Sequence, residues 1–214
     1  MTLLYKRSLF VVTALAVVAL AQVFVDRPLA MALHQFHETV FYDTFRVITW
    51  AGWGAPWYVF LACVTGLCFV IFKFVAQEEN RDIWFHRFYS FGFALSSLLC
   101  SGTIVFCLKS LFGRYRPEKL FEEGLYGFAP FSGNTSFPSG HTQTIVAVMS
   151  ALWFIYPRYR VLWAGSALLI ALSRVIVTKH YLSDVLASTF LAGLVTLVVH
   201  EIFVRRKISS FRLH

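Results

Sequence analysis

Charge is scarce in this sequence. Only 14% of its 214 residues are charged, against about 25% in soluble domains, and apolar residues make up 58%. With a mean hydropathy of +0.66, this composition excludes an ordinary soluble domain and places the chain in a bilayer. Acid is scarcer still: 11 Asp and Glu face 19 Lys and Arg, a net charge of +8. The bases lie between apolar runs instead of along one soluble face. No nucleic acid is expected as a partner; lipid headgroups and an anionic substrate are. The four cysteines, Cys63, Cys68, Cys100 and Cys107, all fall inside apolar runs. That placement excludes a disulfide framework or zinc-ligand spacing and leaves them as small core residues. Internal repeats and low-complexity tracts are absent as well, and the length suits one domain over residues 1–214.

What the chain does have is long apolar runs. Six of them, roughly 8–25, 50–72, 89–108, 142–156, 161–178 and 182–204, are long enough or nearly so to cross a hydrocarbon core of about 30 Å. They predict an all-α fold, a polytopic membrane bundle of six transmembrane helices. The fourth run is the shortest and needs its flanks or a thin bilayer. The first follows Lys6-Arg7 and passes Ala19-Leu20-Ala21, a signal-peptide-like site, yet stays apolar to Val25; an uncleaved signal anchor is the expectation. Asp26-Arg27-Pro28 then reads as a fresh helix start. The mildly amphipathic segment from there to about Thr49 is expected to lie along the membrane surface.

Loop cations set the orientation. With the N-terminus inside, eleven Lys and Arg, Arg212 among them, fall on the inner face and eight on the outer. Both termini are therefore expected inside, in the cytoplasm of a bacterial inner membrane. The outer face, toward the periplasm or exterior, then receives three polar stretches far apart in sequence: KSLFGRYRP (109–117), SFPSGHT (136–142) and SRVIVTKHYLSD (173–184).

Each stretch has a chemical reading and a plainer one. Lys109 and Arg116 stand seven residues apart with Arg114 between them, on one face if the helix continues, although Gly113 and Pro117 suggest that it loosens there. Lys109 and Arg116 suit a phosphate, Arg as a planar fork of donors and Lys as a point charge; a basic flank at a membrane border has the same look. Pro138, Ser139 and Gly140 are residues of a helix start, whose free N–H groups form an anion site. Gly140 leaves room for an oxygen, and His141 in the first turn can pass a proton to a leaving group. The plainer reading is a capping turn with an incidental histidine. His180 and Asp184 are four apart and share a face on a helix. A carboxylate on one ring nitrogen leaves the other free to attack. Arg174, six residues earlier, adds a third cation if the chain makes a tight hairpin. A satisfied polar hairpin, or a His/Asp metal site, is the alternative. Together the three stretches offer cations, a helix N-terminus and two histidines, an inventory for phosphoryl transfer. No metal and no cofactor is expected, because Glu118, Glu122 and Glu123 sit in a solvated loop and build no acidic cage on that face.

Lys109 with Arg116-Pro117, the run Pro138-Ser139-Gly140-His141, and Ser173-Arg174 with His180 and Asp184 resemble the tripartite signature of the type 2 phosphatidic acid phosphatases. Soluble vanadium haloperoxidases belong to the same superfamily. The signature covers residues 109–184, and the six-run layout extends the resemblance over most of the chain. It implies that His180 attacks phosphorus with Asp184 orienting it, while His141 protonates the departing group. Lys109, Arg116 and Arg174 would hold the phosphoryl oxygens, helped by Ser139 and the Gly140 backbone, and water would release phosphate without a metal. Two departures stand out. Leu182 replaces a frequent proline, and Lys179 sets a cation beside the nucleophile, where it could serve a second phosphate or simply snorkel.

The expected function is metal-independent dephosphorylation of a membrane lipid phosphate or diphosphate. Candidates are undecaprenyl diphosphate, phosphatidylglycerol phosphate, phosphatidic acid and lipid A phosphates. A lipid-to-lipid phosphotransferase would use the same residues. A non-catalytic phosphate-lipid binding or transport protein would need the cations but not an oriented His180.

Overall fold

The computed structural model describes residues 3–211, so Arg212 lies outside the described residues. Among these the regular elements are helices, and the one extended pairing is an isolated bridge between Arg114 and Phe128. The order is α1 (Leu3–Leu20), α2 (Asp26–His34), α3 (Val40–Ile48), α4 (Gly54–Val70), α5 (Glu78–Phe112), α6 (Pro117–Glu123), α7 (Gly140–Ile155), α8 (Arg160–Ile176) and α9 (Leu182–Phe211). Five helical stretches are long and apolar enough to cross a membrane: Arg7–His34, Val40–Val75, Glu78–Phe112, Pro157–Ile176 and Leu182–Arg205. The protein is an all-α membrane bundle. The sixth expected crossing is present as a shorter apolar helix, Gly140–Ile155.

That short helix sits in the middle of the molecule. α7 packs against α5, α8 and α9, and nine of its sixteen residues are buried. A helix that is apolar all round needs apolar neighbours on every side, and here the neighbours are protein. At about 1.5 Å per residue it spans only about 24 Å, and its buried residues lie from Thr142 to Ala151. Leu98 of α5, Ile145, Ala147 and Ala151 of α7 and Ala192 of α9 have no exposed surface. The alanines at these crossings let the helix backbones approach closely, as small residues do in membrane bundles. Leu15, Val23, Phe24, Phe106 and Leu168 project outward and are well exposed. This is the pattern of a surface solvated by acyl chains.

Local chemistry explains several helix boundaries. Glu78 and Glu79 open α5, where acids favour the positive end of the helix dipole. Gly113 ends it in the left-handed conformation, φ +57°, with its N–H donating to the Lys109 carbonyl. Pro117 then starts α6 at a position whose missing N–H has no cost. Ser139 caps α7, its Oγ accepting from the Thr142 N–H.

The expected helix start at Asp26 is corrected. α1 runs into α2 through a π turn, Ala21–Val25, in which the Asp26 N–H donates to the Ala21 carbonyl. Residue 25 is helical and makes no side-chain cap. Pro28 cannot donate to the preceding turn, and the wider π turn just before it takes up the mismatch. Asp26 is thus no surface cap. It is fully buried.

At Gly113 a close approach of backbone leaves no room for a side chain. A Cβ there would lie 1.9 Å from the Ala129 carbonyl oxygen, on a left-handed backbone. Gly113→Ala should therefore destabilise the folded protein by roughly 1–3 kcal/mol. Thermal unfolding of the detergent-solubilised variant beside wild type checks this.

Candidate active site

The first polar stretch does not remain helical. Because α5 stops at Gly113, where the sequence suggests a loosening, Lys109 and Arg116 do not share a helix face. They converge instead on one loop residue. The Lys109 ammonium donates to the Thr135 carbonyl, and Arg116 donates to the Thr135 hydroxyl at 3.2 Å. Arg114 between them points the other way. It is fully buried and lies between two carboxylates, Asp26 at 2.7 Å and Asp184 at 2.5 Å. Its guanidinium also stacks 4.4 Å from the Tyr181 ring centre. Burial disfavours its charge, yet the two carboxylates hold its pKa above the ordinary guanidinium value.

The second stretch opens α7 as its residue types suggest. Gly140 is its first residue and His141 its second, so the free N–H groups of the first turn and the positive dipole end face the site. A Cβ on Gly140 would point at the Lys109 side chain, 3.8 Å away. The bare backbone and a cation therefore border the same space. The charges of Arg174, Arg116 and Lys109 all act on His141. A cavity of about 360 Å³, lined by Thr49, Trp50, Trp53, His141 and Arg174, opens beside it.

The third stretch makes a tight hairpin between α8 and α9. The Lys179 and His180 N–H groups both donate to the Arg174 carbonyl, at 3.2 Å each, and the Arg174 guanidinium donates to the Thr49 hydroxyl at 2.8 Å. Ser173 is buried and bonds back to the Ile170 carbonyl at 2.6 Å. His180 and Asp184 do not lie on one helix as expected, because α9 begins at Leu182. They meet all the same. Asp184, in the first turn of α9, accepts the Tyr181 N–H at 3.0 Å, the side-chain half of a capping box. This brings its Oδ2 to 3.5 Å from His180 Nδ1. The separation exceeds a normal hydrogen bond, and Nδ1 has no hydrogen-bond partner among the described residues. Such catalytic contacts are often long before substrate binds. Nδ1 is thus the ring nitrogen turned to the carboxylate, and Nε2 is the one turned away from it. Burial holds the His180 imidazole far below its ordinary value, at about 3, although Asp184 opposes the shift; the Arg174 and Lys109 charges add to it. His180 is therefore neutral near pH 7.

Two further bonds lock the stretches together. Ser136 Oγ donates to Asp184 Oδ2 at 2.6 Å, and the Ser139 N–H donates to the Asp184 carbonyl at 3.3 Å. The sequence reading missed Ser136, Thr135, Thr49 and the partnership of Arg114 with Asp26. Asp26 carried a usable signal, an acid at the end of an apolar run, where an uncompensated charge needs a partner.

The cations divide into two sets. Arg114 is salt-bridged to Asp26 and Asp184, Lys119 to Glu123 and Lys179 to Glu118. Lys179 is thus held by an acid and not presented as a free second phosphate clamp. Lys109, Arg116 and Arg174 form no salt bridge among the described residues and donate to uncharged oxygens of Thr135 and Thr49. Among the described residues no three His, Cys, Asp or Glu side chains are grouped to hold a metal ion.

The PAP2 superfamily model matches residues 89–208, more than half of the chain, and the protein belongs to the PAP2 superfamily. Two curated relatives are lipid A 1-phosphatases. One, from Rhizobium etli, is 35% identical over 117 residues, 53% of this chain and 50% of that protein. The other, from Rhizobium johnstonii, is 38% identical over 112 residues, 51% and 46% respectively. The chain thus spans about half the length of the curated relatives it matches. Among solved structures it is similar to a transmembrane PAP2 type phosphatidylglycerolphosphate phosphatase from Bacillus subtilis. That likeness has a TM-score of 0.67 at 18% identity, over 92% of this chain and 96% of that one. Aquifex aeolicus LpxE gives a TM-score of 0.57 at 17% identity, over 84% and 98%. At these identities the structural likeness concerns the fold.

The buried neutral His180 makes stability depend on pH. Its folded value, about 3, lies below the unfolded value of about 6.5, so between the two the unfolded chain binds more protons. The contribution is complete above pH 6.5 and is lost progressively as pH falls toward 3. Thermal unfolding across this window should show less acid sensitivity in His180→Gln than in wild type.

Proposed function

We propose that this protein is an integral-membrane lipid phosphatase that works through a phosphohistidine at His180. The observation that carries the reading is the set of three cations, Lys109, Arg116 and Arg174, which no carboxylate neutralises, gathered with His141 at the α7 N-terminus. A cluster of like charge has no structural merit by itself. It favours an anion that spreads charge over several oxygens, as a phosphoryl group does.

The steps follow from the residues. The phosphate seats its oxygens on Lys109, Arg116, Arg174 and the Gly140 backbone. Nε2 of His180 forms a bond to phosphorus while the bond from phosphorus to the lipid oxygen breaks; His141, which takes up a proton from solvent once the phosphate's negative charge offsets the three cations around it, gives that oxygen the proton. Asp184 holds the Nδ1 proton of the resulting imidazolium. Neutral His141 then takes a proton from water, whose oxygen displaces Nε2 and releases inorganic phosphate. Proton and phosphoryl accounts both close without a metal.

The site lies at one end of an apolar bundle, which favours a lipid over a soluble ester. The names of the Rhizobium relatives put a sugar-linked lipid phosphate such as lipid A 1-phosphate first among substrates. Trp50 and Trp53 in the wall of the cavity beside His141 and Arg174 offer aromatic faces of the kind that suit a sugar ring. A bacterial inner-membrane location with the site toward the periplasm is part of this proposal.

Purified protein should release phosphate from such a lipid with EDTA present. His180→Ala should abolish release, and Asp184→Asn should lower it on the order of 10²–10⁴-fold. Vanadate, which adopts the five-coordinate geometry of the transferring group, should compete with substrate. Wild-type turnover in His180→Ala, or a strict metal requirement, would overturn the mechanism. Transfer of phosphate to a second lipid in place of water would reassign the protein as a phosphotransferase.

A further inference from the structure

Asp26 comes from the first membrane-spanning stretch, outside the matched family region of residues 89–208. It is nevertheless fully buried against the catalytic pair. One of its oxygens accepts the Ser183 N–H at 2.9 Å. The other accepts Arg114 at 2.7 Å and also the Ser183 hydroxyl. Arg114 in turn donates to Ser183 Oγ at 2.6 Å and to Asp184 Oδ1 at 2.5 Å. Asp184 Oδ2 faces His180 Nδ1. A continuous chain thus runs from Asp26 through Arg114 to the carboxylate that orients the nucleophile, all of it removed from solvent.

The charges along this chain matter more than the contacts. Asp184 with Arg114 alone would make a neutral pair, and the guanidinium would cancel the field of the carboxylate at His180. With Asp26 as a second carboxylate on the same guanidinium, the trio carries one net negative charge. That excess lies next to a ring that is neutral at rest and becomes an imidazolium when Nε2 bonds to phosphorus. At low dielectric such a charge acts strongly over these distances. A merely structural anchor for α2 would have no need of a net charge in a buried place, where uncompensated charge is costly.

We infer that Asp26 is a positioning residue for catalysis: by sharing Arg114 it leaves Asp184 free to hold His180 and to stabilise the imidazolium of the phosphoenzyme. The inference rests on the phosphohistidine reading above. Asp26 does not touch substrate. It acts through Arg114 and Asp184, and its effect belongs to kcat and not to substrate binding.

The test is phosphate release from the same lipid by wild type, His180→Ala, Asp26→Asn, Asp26→Glu, Asp184→Asn and the Asp26→Asn/Asp184→Asn pair, with thermal unfolding of each. Asp26→Asn should lower kcat roughly 10- to 100-fold with KM within about twofold. Asp26→Glu, which restores the charge, should recover part of the loss. In the Asp184→Asn background, followed in single-turnover assays over hours, Asp26→Asn should change the rate less than about twofold, since the route to His180 is already cut. A folded Asp26→Asn variant with kcat within twofold of wild type would overturn the inference. So would an equal loss in both backgrounds, or a kcat loss matched by a rise in KM and a fall in Tm. If Asp26→Asn does not fold, the neutral Asp26→Ser decides: kcat reduced at unchanged KM supports the inference, and wild-type kcat sinks it. Inactive wild type on every lipid, or active His180→Ala, would instead count against the phosphatase reading itself.

Discussion

A guanidinium without access to water must have carboxylates around it, and Arg114 has two. Removing a charge from water costs several kcal/mol even after relaxation. The geometry that offsets this has to be built from whatever segments carry acids. Here those are the junction of α1 and α2, which supplies Asp26, and the first turn of α9, which supplies Asp184. Ser136, just before α7, adds its hydroxyl to Asp184. One buried ionic node therefore fixes the relative placement of four separate segments. The loop that carries His180 is stretched between two of its anchors, Arg174 at the end of α8 and Asp184 at the start of α9.

The same economy of acid explains the side of the site that carries Lys109, Arg116 and Arg174. The chain has few carboxylates, and those near the site are committed: Asp26 and Asp184 to Arg114, Glu118 to Lys179, Glu123 to Lys119. Lys109, Arg116 and Arg174 are left with threonine and carbonyl oxygens, which orient a cation without cancelling it. The α7 N-terminus adds the positive end of a helix dipole. Because α7 is enclosed by α5, α8 and α9, its first turn is held rigidly where those cations meet. Structure and electrostatics point to the same end of the bundle.

Much of this was legible in the sequence, and particular residues show why. Apolar runs mark membrane helices because hydrocarbon leaves the backbone no other way to satisfy its hydrogen bonds, so the observed helices fall where the runs do. Ser139 was readable as a cap because its hydroxyl and the glycine after it leave little else to form. Spacing arguments that assumed a continuous helix did worse. Lys109 with Arg116, and His180 with Asp184, would share helix faces only on unbroken helices, but Gly113, itself a sign of loosening, ends one helix and α9 begins only after His180. The pairs converge through loops instead. At Asp26 the reverse error occurred: a proline after an acid reads as a helix start, whereas a π turn carries the helix through.

The sequence by itself determined the solvent, the helices and the residue types at the site, since each of these follows from composition and local pattern. It also brought the three polar stretches to one end of the bundle, because the crossings between them leave little choice. What only the tertiary structure decided is which cation is spent and which is free. Arg114 and Arg116 are two residues apart and chemically identical, yet one is sealed between carboxylates and the other points at a threonine. That difference depends on Asp26, 88 residues away from Arg114. Residue type fixes the charge a side chain carries; burial and distant partners fix what that charge is able to do.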